Sequence, residues 1–106
     1  MKEIKAVIQP FMLDKVLSAL HQIPGLPGCI VSRIETHGKP AVGEENRDTT
    51  AKVKLEIVVA DALVGNVVSA IQKHAHTGNR GDGKIFVINV ADVIAIRSGE
   101  RGEKAL

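Results

Sequence analysis

The segment Thr77-Gly78-Asn79-Arg80-Gly81-Asp82-Gly83-Lys84 runs straight into the apolar stretch Ile85-Phe86-Val87-Ile88. Its residue types suit the holding of an anion. Three glycines within six residues permit positive φ and let backbone N–H groups converge where no Cβ blocks a phosphate. Lys84 would add a mobile positive charge. Gly78-x4-Gly83-Lys84 nearly fits the Walker pattern, but Ile85 stands where that pattern needs a magnesium-binding Ser or Thr. The residues that follow also read as a strand, whereas a Walker loop opens a helix whose N-terminus faces the phosphates, which argues against a P-loop NTPase. Pattern alone leaves two readings level: a phosphate-holding loop, and a plain glycine-rich connection ahead of a buried strand.

Other reactive side chains are sparse. His74 and His76 lie two apart near the end of a predicted helix, a spacing that puts them on different faces, where cations also suit the helix dipole. Surface histidines are therefore favoured over a metal site, with His37, His74 and His76 kept as metal candidates and His21 equally open. Asp82 is a possible base, but no carboxylate pair, Ser–His–Asp set or paired metal ligands stand out, so the expectation is a protein that is not an enzyme and has no catalytic residues. Cys29 is the single cysteine; no internal disulfide can form, and its apolar neighbours predict a buried thiol.

Composition bounds what can position these groups. A chain of 106 residues reads as one domain, 1–106, that hides only about two-thirds of its unfolded surface. Hydrophobic residues make up 44% but the only aromatics are Phe11 and Phe86, which predicts a thin aliphatic core that association would help. The net charge of +2 comes from 14 basic and 12 acidic residues spread along the chain, leaving no basic tract and no stacking platform for nucleic acid. No apolar run is long enough to span a bilayer and no apolar leader is visible, which predicts a soluble cytoplasmic protein without direct membrane insertion.

Residues 2–9 read as a strand ended by Pro10. Leu13, Val16, Leu17 and Leu20 then mark one face of a helix that Pro24, Gly25 and Pro27 terminate. Residues 28–36 read as a second strand, and 38–50 as a polar loop of a length that is usually functional or mobile. Residues 52–60 alternate as a strand, and Asp61 is predicted to cap a helix with the stripe Val64, Val67, Val68 and Ile71. A strand over 84–90, a short apolar run over 93–96 and a polar tail follow the glycine loop. The order predicts an α+β, ferredoxin-like split βαβ fold (βαββαβ), an antiparallel sheet with both helices on one face and the other face bare for packing against other copies.

Four blocks carry a wider resemblance: Pro10-Phe11-x-Leu13-Asp14-x-Val16, Lys52 through Val59, Thr77 through Val87, and Ser98-Gly99-Glu100-Arg101-Gly102-Glu103. Over nearly the whole length the chain resembles the PII signal-transduction proteins (nitrogen regulatory protein P-II). The resemblance implies a homotrimer with an adenine nucleotide (ATP, ADP or AMP) in clefts between neighbours. It assigns Gly81, Asp82, Gly83 and Lys84 to the phosphates, Gly38 and Lys39 to the loop base, Ile30 and Val58 to the adenine pocket, and Arg97 to the phosphates of an adjacent subunit. It implies a regulator of a membrane transporter or metabolic enzyme that acts through the loop around residues 38–51, where Glu44, Glu45, Arg47 and Asp48 are contact candidates.

The departures narrow that expectation. The chain has no tyrosine, so tyrosyl uridylylation or adenylylation is impossible. Pro40 replaces a glutamine that the family uses for magnesium and 2-oxoglutarate; this leaves magnesium open and counts against 2-oxoglutarate, although Lys52 persists as an effector-binding candidate. Ala95 replaces one family arginine and Lys39 another, which predicts a preference for ADP or AMP over ATP. The stretches Phe11-Met12-Leu13 and His21-Gln22-Ile23-Pro24 also resemble PII-like proteins associated with heavy-metal efflux. A metal-responsive protein and a weak ATPase are thus the alternatives.

Overall fold

The computed structural model describes residues 1–38 and 49–106. Lys39, Pro40 and the loop candidates Glu44, Glu45, Arg47 and Asp48 lie outside the described residues. The elements are β1 (Lys2–Ile8), α1 (Leu13–His21), β2 (Ile30–Thr36), β3 (Thr50–Val59), α2 (Val64–Ala75) and β4 (Gly83–Asn89). Short 3-10 turns, Pro10–Met12 and Asp61–Leu63, lead into the two helices. Proline with its fixed φ is suited to the first position of such a turn.

The sheet order is β2-β3-β1-β4, and each neighbouring pair is antiparallel. β1 lies in the interior, with Lys2 facing Val59 on one side and Asn89 on the other, and Ile8 facing Val53 and Gly83. Successive side chains in a strand point to opposite faces. Ile4, Ala6 and Ile8 of β1 and Val53, Leu55, Ile57 and Val59 of β3 therefore fall on one face, each at most 2% exposed. The helices cover that face with Leu13, Val16, Leu20, Val67 and Ile71 of the predicted stripes and with Ala75, while Leu17, Val64 and Val68 are only partly buried against it. Each wholly buried aliphatic side chain contributes roughly 1.5–3 kcal/mol, and no aromatic is needed to fill the layer.

Among the described residues no helix lies on the opposite face. It carries Glu3, Lys5, Lys54, Glu56 and Val58 in its middle, with Ile30 and the pair Phe86 and Ile88 towards the two edges. Ile30, Phe86 and Ile88 are exposed. On this face the Glu56 carboxylate is held below its ordinary range, first by a hydrogen bond with Glu3 and then by Lys54, whose Nζ lies 3.3 Å away.

Asp61 does not cap α2: the residue before that helix is Leu63, and no side-chain cap bond forms at either Ala60 or Leu63. The Asp61 carboxylate instead pairs with the Met1 ammonium at 3.0 Å and with Lys2 at 3.5 Å. The inserted 3-10 turn moves the helix start downstream, and the nearby amino group takes the carboxylate.

Candidate anion-binding site

The glycine loop joins the end of α2 to the start of β4, and its wiring centres on one carboxylate. Asp82 accepts the Thr77 N–H at 2.8 Å, the Gly78 N–H at 2.9 Å and a short bond from the Thr77 hydroxyl. The Asn79 N–H in turn donates to the Thr77 hydroxyl at 3.1 Å. These donors, with the Thr77 hydroxyl first among them and His76 a minor neighbour at 3.8 Å, hold the Asp82 carboxyl below its ordinary range. A carboxylate so engaged organises the loop and is poorly suited to act as a base. Any contact Asp82 makes with an anion falls to its backbone N–H.

The glycines are needed where the backbone is crowded or turned. Gly83 has φ of 100°, and a Cβ there would lie 1.7 Å from the Val7 carbonyl oxygen. Gly81, at φ of 89°, sits against the side chains of Gln9 and Lys52. Lys52 is buried, and its ammonium donates to the Gly81 carbonyl at 2.5 Å. The effector candidate is thus already attached to the loop. In the sequence Gln9 is an ordinary polar residue closing a strand, and nothing there marks its place beside Gly81.

The expected site residues separate into groups. Gly38, Lys52 and Gly81 to Lys84 gather at one end of the sheet, since Thr36 faces Thr50, Lys52 faces Ile34, and Gly83 faces Ile8. Lys84 is on the helix-free face, in the row of Val7 and Lys54. Ile30 and Val58 share that face but lie towards the other end. Ile30 is on β2 and Lys84 on β4, the two opposite edges, three inter-strand spacings or about 14 Å apart.

Arg97 is further removed. β4 carries the chain over seven residues, roughly 20 Å, away from the glycine loop. Arg97 then falls on a solvent-exposed turn between Ile94 and Arg101, closed by the Ala95 N–H to the Glu100 carbonyl at 2.9 Å. Arg101 braces the turn through Asp92 at 2.8 Å.

The histidines stay apart as well. The His74 Nδ1–H donates to the Ala70 carbonyl at 2.9 Å, and His37 and His76 are exposed. Among the described residues no cluster of three or more His, Cys, Asp or Glu side chains is positioned to hold a metal ion. No described helix is long and apolar enough to cross a membrane. A cavity of about 390 Å³ opens on the helix side of the loop, lined by Ile71, Ala75, His76, Gly83 and Ile85 among others.

Comparison with known proteins agrees with this architecture. The family described as nitrogen regulatory protein P-II matches residues 1–100. Nitrogen regulatory protein P-II of Azospirillum brasilense is 43% identical over 113 residues, covering 100% of both chains. Nitrogen regulatory protein P-II 1 of Escherichia coli is 42% identical with the same full coverage. The crystal structure of Arabidopsis thaliana PII bound to citrate superposes with a TM-score of 0.85 at 43% identity, over 99% of this chain and 91% of that one. With the βαββαβ order, the glycine loop and these matches in agreement, the chain belongs to the nitrogen regulatory protein P-II family of signal-transduction proteins.

Proposed function

We propose that this protein is a homotrimeric, non-enzymatic, cytoplasmic regulator that binds an adenine nucleotide between neighbouring copies. The observation that carries this reading is the separation of the site residues. Glycine-loop donors and Lys84 stand at one edge and end of the sheet, Ile30 at the other edge, and Arg97 on a turn leaving the far end. No single copy gathers them, whereas neighbours meeting edge to edge would. The exposed Ile30, Phe86 and Ile88 of the helix-free face give such neighbours apolar surface to bury.

In that cleft the backbone N–H groups of Gly81 to Lys84, the Lys84 ammonium and the Arg97 of an adjacent copy surround the phosphates. Charge-assisted donors in a partly dried site are the strong class of hydrogen bond. Ile30 and Val58 flank the base, and Gly38 and Lys39 join from the loop base. Occupancy then controls how the stretch around residues 38–51 docks on a membrane transporter or metabolic enzyme. Lys52 is the candidate contact for a second effector, and magnesium is a candidate companion of the bound phosphates. Ala95 and Lys39 remove forked guanidinium donors, so ADP or AMP binds more tightly than ATP.

Calorimetry with ATP, ADP and AMP, with and without magnesium, alongside native mass spectrometry, tests the reading. One adenylate per copy on a trimer is expected, with ADP at least as tight as magnesium-ATP. A monomer in solution, or no heat with millimolar adenylates, would overturn it.

A further inference from the structure

Two side chains beneath the glycine loop have a geometry that phosphate contact alone does not use. Lys52 is 8% exposed, and its ammonium is directed at the Gly81 carbonyl. Burying an ammonium to that extent is costly without a good acceptor, so this contact is a strong constraint on both partners. Gln9, the residue after β1, comes to the same spot: its Nε2 and the Lys52 Nζ lie 3.0 and 3.2 Å from the point a Cβ on Gly81 would occupy. Gly81 therefore rests on a two-sided seat made by the ends of two adjacent strands.

The peptide unit makes this consequential. In a planar trans peptide the C=O and the following N–H point in opposite directions. Fixing the Gly81 oxygen on Lys52 fixes the Asp82 N–H to point away from Lys52, outward from the seat. A cation on the carbonyl also polarises that peptide and makes its N–H a better donor. At the same time the Asp82 carboxylate holds the Thr77 and Gly78 N–H groups, so the loop is pinned on both sides of Gly81.

We infer that Lys52 and Gln9 clamp the glycine loop, and that Lys52 is a positioning residue which aims the Asp82 N–H at the anion site. This role is distinct from direct contact with an effector. It also joins two distant stretches of chain: Lys52 lies two residues past the start of β3 at Thr50, the strand to which the long polar segment returns. A partner that shifts the beginning of β3 would shift the ammonium, then the Gly81 carbonyl, then the donor offered to the phosphates. The consequence for ligand binding rests on the nucleotide reading above; the clamp itself does not.

The test uses the full chain and two readouts. In 15N-labelled protein without ligand, Lys52→Met is expected to move the Asp82 amide resonance and speed amide exchange at Gly81 to Gly83, while Lys52→Arg restores both. By calorimetry, Lys52→Met is expected to weaken ADP at least tenfold, Lys52→Arg to recover to within about threefold, and Gln9→Ala to fall between them. If Lys52→Met does not fold, Gln9→Ala and Lys52→Arg carry the comparison, and Gln9→Ala must still speed exchange at Gly81. An Asp82 amide and an ADP affinity both unmoved in Lys52→Met would overturn the clamp, as would unaltered Gly81 exchange in Gln9→Ala. Loss of the amide effects in a protein that binds ADP normally defeats the clamp alone; a wild-type protein that ignores ADP but shows the amide effects defeats the nucleotide reading alone.

Discussion

The two helix-to-strand connections occupy equivalent places in the two halves of the fold and are built on opposite principles. The first, from His21 to Ile30, is closed by apolar burial: Ile23, Leu26 and Cys29 pack partly buried against the core between prolines and glycines. The second, from Ala75 to Gly83, puts almost everything outward and is held by one carboxylate and one lysine. A connection closed by burying side chains has little backbone to offer a ligand. One closed by polar bonds at its rims keeps its backbone out of the core, which is a condition for holding an anion.

Substituting glycine should separate the two most sharply. Gly83→Ala forces a Cβ onto the Val7 carbonyl at positive φ, and should cost about 3 kcal/mol or more in urea unfolding. Gly28→Ala, in open space without a positive φ, should stay within about 0.5 kcal/mol. In the first connection Leu26→Ala should cost about 1–2 kcal/mol by the same measurement, since the side chain is only partly buried. In the second, Thr77→Val should loosen the loop with little change in global stability, seen as faster amide exchange at Asn79.

Acid should act on the polar connection first. The Asp82 carboxyl is depressed in the folded state, so the stability it contributes is fully present above its unfolded value, about 4. That contribution is lost as pH falls from there through the depressed folded value. The Asp82 side-chain carboxyl resonance should therefore move only in strong acid, whereas Ile23 and Leu26 methyl shifts should not track that titration. The smallest effect belongs to Cys29, whose thiol is pushed up chiefly by burial. Its alkylation by iodoacetamide at pH 8 should be slower than that of a free cysteine and should accelerate on unfolding.

Much of the fold was legible from periodicity. Alternation in Val53, Leu55 and Ile57 and the i, i+3, i+4 stripes of both helices depend on local repeats that the core simply realises. Asp61 reads as a cap in the sequence because neither the 3-10 turn that displaces the helix start nor the competing ammonium beside it is visible there. The glycine loop was visible as chemistry but not as mechanism. Thr77 and Asp82 are five residues apart and could be seen as local partners, whereas Lys52 and Gly81 are 29 apart, and only sheet register brings them together. Gln9 carried no signal at all, since its relevance depends on what the third and fourth strands place beside it.

The interior position of β1 has a consequence for how the protein is made. β1 leaves the ribosome before β3 and β4, with which it pairs, so Lys2 waits for Val59 and then for Asn89. At roughly 5–20 residues per second, nascent β1 spends several seconds with an unpaired edge on each side. Synthesis arrested before residue 83 would leave one edge permanently open, a template for aggregation that a chaperone would have to cover.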